Sequence, residues 1–176
     1  MKKICEFSIF PGIFSDETLE KQKRTLRNNI YMISFVNAES EEADEQFMSE
    51  NKYGVVYMVG ADSGKAGNFK LKNQADLSVT FYSSKNDKYF HRDPETEGKF
   101  TFGASNPDSR CAKFELYPVE EQQHDGRIVA AVRIRSLDND QFLRIDTEGS
   151  GSSKVPARIK TVAEEENASV FQFIEV

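Results

Sequence analysis

Along most of the chain, apolar and polar residues alternate in short runs, the spacing expected of strands with one buried face. Twelve such runs fall between residues 29 and 176, separated by turn-forming and charged residues. They read IYMISFV, QFMS, GVVYMV and NFKLK, then LSVTFYS, KYFHR, KFTFG and KFELYPV, then VAAVRIRS, QFLRI, PARIK and VFQFIEV. No helical period is sustained within this region. The segment that reads as a helix lies before it, at 15–27, with Ser15 as N-cap, Asp16 and Glu17 at the positive end and Lys23, Arg24 and Arg27 at the other. Phe14 and Leu19 occupy the positions of a hydrophobic staple. Leu19 and Leu26 alone form its apolar stripe, too narrow for a core helix, so the pattern places it on the surface.

The runs repeat. Laying VTFYSSKNDKYFHRD (79–93) over VRIRSLDNDQFLRID (132–146) matches Val79 with Val132, Ser83 with Ser136, Asn86-Asp87 with Asn139-Asp140 and Asp93 with Asp146. Phe81 then faces Ile134, and Tyr89-Phe90 faces Phe142-Leu143. A third copy upstream supplies Ile33 and Phe35, then Phe47-Met48. It ends on Phe69 and Leu71 where the others end on Phe114/Leu116 and Phe171/Phe173. The units run about 29–74, 76–119 and 128–176, four strands each. They predict an all-β domain over 29–176, a pseudo-threefold barrel capped by hairpins, with 1–28 as an N-terminal arm. The repeat also disposes of a tempting metal loop, in which Asp138, Asn139, Asp140 and Asp146 crowd oxygen atoms together. Lys85 stands where Asp138 does in the second copy, and the glycine of a calcium loop is missing. Both stretches read as hairpin turns, and no metal or cofactor is expected.

These repeats resemble the β-trefoil superfamily, closest to the fascin-like and hisactophilin-like domains. The likeness rests on VRIRSLDNDQFL at 132–143 and on the paired endings Phe114/Leu116 and Phe171/Phe173. It implies a β-trefoil fold, and its fascin-like branch implies actin filaments as a partner. The ricin-type lectin branch needs a tryptophan in its Q-x-W signature, and the chain has none. The fold itself hosts lectins, cytokines, protease inhibitors and cytoskeletal binders, so it does not choose a function.

Composition narrows the partners. The chain has 176 residues, enough for one domain with a proper core, and a formal charge of −6, which disfavours nucleic acid and anionic membranes. Cys5 and Cys111 are too few for a disulfide framework and have no zinc-like spacing, so the expected setting is cytoplasmic, with reduced thiols. The start, MKKICEFSIFPGIF, imitates a signal peptide, but Glu6 and Pro11 interrupt its apolar run. Ile4, Phe7, Ile9, Phe10, Ile13 and Phe14 still concentrate apolar surface in the arm. They are candidate partner-binding residues that either seal the open end of the barrel or dock on another subunit. Residues 1–28 carry six basic and four acidic side chains, +2, leaving −8 for the rest, a balance compatible with self-association.

Catalytic motifs are weak. GADSGKAG (60–67) looks like a phosphate loop but has three residues rather than four before Gly64-Lys65, and a strand follows it where a helix should. Aligning Gly60-Ala61 with Gly103-Ala104 makes it a third-to-fourth strand loop. His91 falls within a strand and His124 in the polar linker EEQQHDG, neither at a catalytic spacing from a nucleophile. Cys111 sits beside Arg110, which could lower its pKa. The acidic runs at 39–45, 120–126 and 163–169 read as solvated loops. The expected function is thus a non-enzymatic module for protein–protein interaction, cytoskeletal or assembly-related. Carbohydrate binding is the alternative, with Asn51, Asp93 and Asp146 at one shared repeat position as candidate glycan contacts. A cytosolic protease inhibitor, inserting loop 37–46, is a further alternative. A filament binder should gather Lys85, Lys88 and Arg92 into one patch.

Overall fold

Each sequence repeat becomes four antiparallel strands. The first unit holds β1 (Asn29–Val36), β2 (Glu45–Glu50), β3 (Val56–Gly60) and β4 (Phe69–Asn73). The second holds β5 (Val79–Ser83), β6 (Lys88–Asp93), β7 (Lys99–Ala104) and β8 (Phe114–His124), and the third β9 (Arg127–Ser136), β10 (Gln141–Asp146), β11 (Arg158–Val162) and β12 (Phe171–Glu175). The computed structural model describes residues 26, 28–36, 45–60, 64–96, 99–124, 127–146 and 158–176, with the backbone alone at 36, 120–124 and 127–129.

In every unit the first strand pairs with the fourth, and the second and third form a hairpin. The fourth strand of each unit also pairs with the first strand of the next, β4 with β5, β8 with β9 and β12 with β1. Six strands therefore close a ring, which leaves no free edge within the barrel wall. The seam register fixes which residues are equivalent. Phe173 faces Ile33, Leu71 faces Phe81 and Leu116 faces Ile134. Phe69, Phe114 and Phe171 are 1%, 0% and 0% exposed and belong to one core cluster, so the threefold pattern is carried by packing as well as by sequence. The Phe69 and Phe102 rings stack at 4.8 Å, and Phe81 contacts the rings of Phe90, Phe114 and Phe173. Each such ring, fully buried, is worth about 2–3 kcal/mol.

The first-to-second strand turns fall where the repeat puts them, over 84–87 and 137–140. Asp87 and Asp140 take the left-handed backbone, with φ of 52° and 55°, which a short polar side chain tolerates better than a branched one. Both turns are braced from the same strand position. Tyr82 donates its hydroxyl to Asp87 Oδ1 at 2.5 Å, and Arg135, its equivalent, reaches Asp140 Oδ1 at 3.4 Å.

Three details differ from the sequence reading. The helix expected at 15–27 lies outside the described residues except for Leu26, which is not on a surface helix. It forms an isolated β-bridge and is fully buried in the core, its carbonyl accepting from Asn73 Nδ2 at 2.5 Å. The run at 120–126 is not a loop up to His124, because Glu120–His124 extend β8 and pair with β9 back to Arg127. What makes a strand of these polar residues is the backbone ladder to β9. Finally, Met58 faces Met48 as Phe102 faces Phe90, and Val59 faces Phe47 as Ala104 faces Tyr89, so Ala104 corresponds to Val59, and Gly103 is an extra residue rather than the counterpart of Gly60. A bulge between Tyr89 and Phe90 adds the offset residue. The phosphate-loop lookalike remains the β3–β4 connection. Among the described residues, no helix is long and apolar enough to cross a membrane.

Candidate functional site

The three candidate glycan residues sit at equivalent places. Asn51 follows β2, Asp93 ends β6 and Asp146 ends β10. The first two spend their side chains on their own turns. Asn51 Oδ1 accepts from the Tyr53 and Val55 amides at 2.8 and 3.1 Å, and Asp93 Oδ1 accepts from the Glu95 amide at 2.9 Å. That amide is the main reason the Asp93 carboxyl is held below the usual range. Asp146 pairs across the ladder with Arg158. Among the described residues, Tyr53 is the one exposed large aromatic, so Asn51 alone of the three has such a platform beside it. The apolar arm residues Ile4, Phe7, Ile9, Phe10, Ile13 and Phe14 lie outside the described residues.

The same strand ends lock one unit to the next. Glu50, only 4% exposed, accepts from Ser83 Oγ and, at 2.7 Å, from Asn86 Nδ2. Its carbonyl accepts from Lys85 Nζ at 2.9 Å. One unit further on, Arg92 occupies the place of Glu50, and Asp138 that of Lys85; they form an ion pair at 2.8 Å. Both positions join one unit to the next, the first through a carboxylate that accepts from neutral side chains and the second through an ion pair. Lys88 donates instead to Ser105 at 2.5 Å. Lys85, Lys88 and Arg92 thus serve three different partners rather than converging on one basic patch.

Sequence reasoning passed over Glu50, although a period of two places it on the inward face behind Met48. It also passed over Tyr53. The ring is 76% exposed, with Lys52 Nζ 5.1 Å from its centroid. The turn beneath is fixed from two sides. Asn51 caps it, and the Gly54 carbonyl accepts from the Phe102 amide at 2.8 Å. A lone tyrosine between lysine and glycine carries no pattern from which this rigidity could be read.

His91 and Cys111 both sit in partly buried surroundings. Burial lowers the His91 pKa against a smaller opposing pull from Asp93, and its buried Nε2 has no hydrogen-bond partner. Arg110, which stands beside Cys111 in sequence, donates to the Leu137 carbonyl at 2.8 Å. Burial, with Asp138 nearby, pushes the thiol up instead. Cys5 lies outside the described residues. His91 makes a prediction. With its folded pKa depressed, the unfolded chain binds more protons, so stability should fall as pH drops below about 6.5. His91→Gln should flatten that part of the profile, measured as urea midpoints at pH 7.5, 6 and 5. An unchanged slope would assign the dependence to another group. Among the described residues, no group of three or more His, Cys, Asp or Glu could hold a metal ion.

No protein-family model and no curated protein sequence matches the chain. Among solved structures, it is similar to the crystal structure of a designed 3-fold symmetric protein, ThreeFoil, at 12% identity and a TM-score of 0.55. The match covers 84% of this chain and 99% of that one. At that identity the likeness speaks for fold alone, and with the closed ring of six strands and three hairpins it makes this a β-trefoil-like domain.

Proposed function

We propose that the protein is a non-enzymatic β-trefoil binding module of the cytoplasm whose ligand is another protein, in a cytoskeletal or assembly setting. The observation that carries this reading is Tyr53, a 76% exposed ring on a turn fixed from both sides. An aromatic on a backbone that is already fixed suits an interface anchor, since only side-chain freedom is left to lose on binding. Lys52 beside it supplies a cation for an acidic or aromatic group on the partner. Carbohydrate binding draws on the same place, because Asn51 adjoins the ring. The protein reading is preferred since the Asn51 acceptor is already occupied and, among the described residues, Asp93 has no exposed aromatic beside it. Direct filament binding is disfavoured by the dispersal of Lys85, Lys88 and Arg92 and by the net charge of −6, actin itself being acidic.

The test is photo-crosslinking in the protein's own cells, with a photoreactive phenylalanine analogue at position 53 and the same analogue at exposed Glu95 as control. A discrete protein adduct is expected at 53 and not at 95. No adduct at 53, together with saturable glycan-array binding abolished by Asn51→Ala, would replace this reading with the carbohydrate one.

A further inference from the structure

The strand register sets one row of outward residues across four neighbouring strands. Ile30 on β1 faces Lys70 on β4, Lys70 faces Tyr82 on β5, and Tyr82 faces Tyr89 on β6. Alternation turns all four away from the barrel interior, since their chain neighbours Tyr31, Leu71, Phe81 and Phe90 belong to the core. Neighbouring strands lie about 4.8 Å apart, so the row spans roughly 14 Å of the outer wall. It is also open to solvent. Ile30 is 44% exposed, Lys70 is exposed and the two tyrosines are half-buried. Lys72, two residues along β4, is exposed as well.

The equivalent rows at the other two seams are closed. One holds Ser78, Glu115, Arg135 and Phe142; its end residues are buried, and Arg135 meets Glu115 at 3.6 Å. The other holds Ala131, Gln172, Ser34 and Phe47. Its end residues are again buried, and Ser34 Oγ donates to Gln172 Oε1 at 3.4 Å. In the open row the cations have no such complement. Among the described residues, no carboxylate pairs with Lys70 or Lys72. Asp76 and Asp87, in the turns that flank β5, are engaged elsewhere, Asp76 with Lys113 at 3.4 Å and Asp87 with the Tyr82 hydroxyl.

The row thus offers an aliphatic end, an aromatic end and uncompensated positive charge between them. Its aromatic end is held in place, because Asp87 fixes the Tyr82 ring and Tyr89 packs on it with centroids 5.3 Å apart. In an extended peptide, residues i, i+2 and i+4 point to one side and span about 13 Å, close to the length of the row. Charge complementarity then asks for a carboxylate at the middle position and apolar residues at the outer two. A nucleic acid is served worse, since two lysines on a chain of net charge −6 neutralise few phosphates.

We propose that the row from Ile30 to Tyr89, with Lys72, docks an extended segment of a partner protein whose acidic residue is flanked, two positions to either side, by apolar or aromatic residues. It is a second contact surface, on the barrel wall, and does not depend on Tyr53.

The test is a titration of the isotope-labelled full chain, read by amide NMR shifts. The probe is an end-blocked synthetic peptide, leucine-serine-glutamate-serine-phenylalanine, beside the same peptide with glutamine for glutamate. Saturable shifts are expected along the row and not around Tyr53, with the glutamine peptide bound several-fold more weakly. Lys70→Glu/Lys72→Glu, at two exposed positions, should abolish these shifts and leave the rest of the spectrum in place. Lys99→Glu/Lys160→Glu changes the net charge equally on β7 and β11 and should weaken binding far less. No saturable shifts, equal affinity for the two peptides, or equal losses in the two double variants overturns the proposal. Stronger shifts along the row from an oligothymidylate than from the peptide would assign the surface to nucleic acid instead.

Discussion

Gly54→Ala is expected to lower the thermal midpoint by about 5–15 °C. Two costs combine. Gly54 has φ +80°, a conformation that costs an L-residue about 1–2 kcal/mol. A β-carbon there would lie 2.2 Å from the Phe102 carbonyl oxygen, a backbone atom that cannot swing aside. Overpacking of this kind adds roughly 1–3 kcal/mol. The clash has structural consequences because Gly54 and Phe102 clamp the first unit to the second, the Phe102 amide donating back to the Gly54 carbonyl at 2.8 Å. Gly64 provides the control. It too has a positive φ, +67°, but nothing lies within 4 Å of its β-carbon position, so alanine there should cost only the conformational part, about 1–2 kcal/mol. Equal losses at the two sites, by thermal melts on both variants, would mean that the clamp yields and that Tyr53 stands on a softer turn than the geometry implies.

The barrel was legible in the sequence because three separate rules agreed on it. Period-two alternation gave the twelve strands, the Phe69/Phe114/Phe171 spacing gave the repeat, and the paired Asn-Asp turns gave the hairpins. What escaped was whatever breaks the repeat. Leu26 lies outside all three units, so no equivalent residue marked it as core, and its charged neighbours suggested a surface helix. Residues Glu120–His124 lack any apolar alternation; only their pairing with β9 makes them a strand. The one-residue slip at Gly103 came from a bulge, which leaves no sequence signature beyond the extra residue itself.

The site was less legible than the fold, for a related reason. Asn51, Asp93 and Asp146 share a repeat position, which made them look like a recurring ligand contact. That position recurs because every second strand must end in a turn whose amides need an acceptor, a task Asn51 and Asp93 perform. Features confined to one unit are the ones the repeat cannot explain. Tyr53 and the apolar cluster of Phe47, Val59 and Ile174 belong to the first unit and its seam with the third, and the repeat accounts for neither.

Glu50→Ala carries the second large effect, an expected loss of about 2–4 kcal/mol. The carboxylate is the shared acceptor for Ser83 Oγ and Asn86 Nδ2, and it is 4% exposed while Ser83 is fully buried. Truncation leaves the buried Ser83 hydroxyl without this acceptor and takes one of two acceptors from the half-buried Asn86 amide, at about 1–3 kcal/mol for a buried group left unsatisfied. Glu50→Gln should fall in between. Its amide keeps one acceptor oxygen but turns a donor toward the other partner, and Asn86 cannot rotate in compensation without giving up its bond to the Asn51 carbonyl at 3.0 Å. The equivalent junction one unit on gives the scale for comparison. Arg92 and Asp138 have side chains 30% and 25% exposed, so Asp138→Ala should cost no more than about 1 kcal/mol. Urea denaturation of the three variants measures the order Glu50→Ala, Glu50→Gln, Asp138→Ala. If Glu50→Ala proves as mild as Asp138→Ala, water reaches the first junction, and the first two units are held together by the Phe69–Phe102 ring contact and ring closure without a buried polar lock.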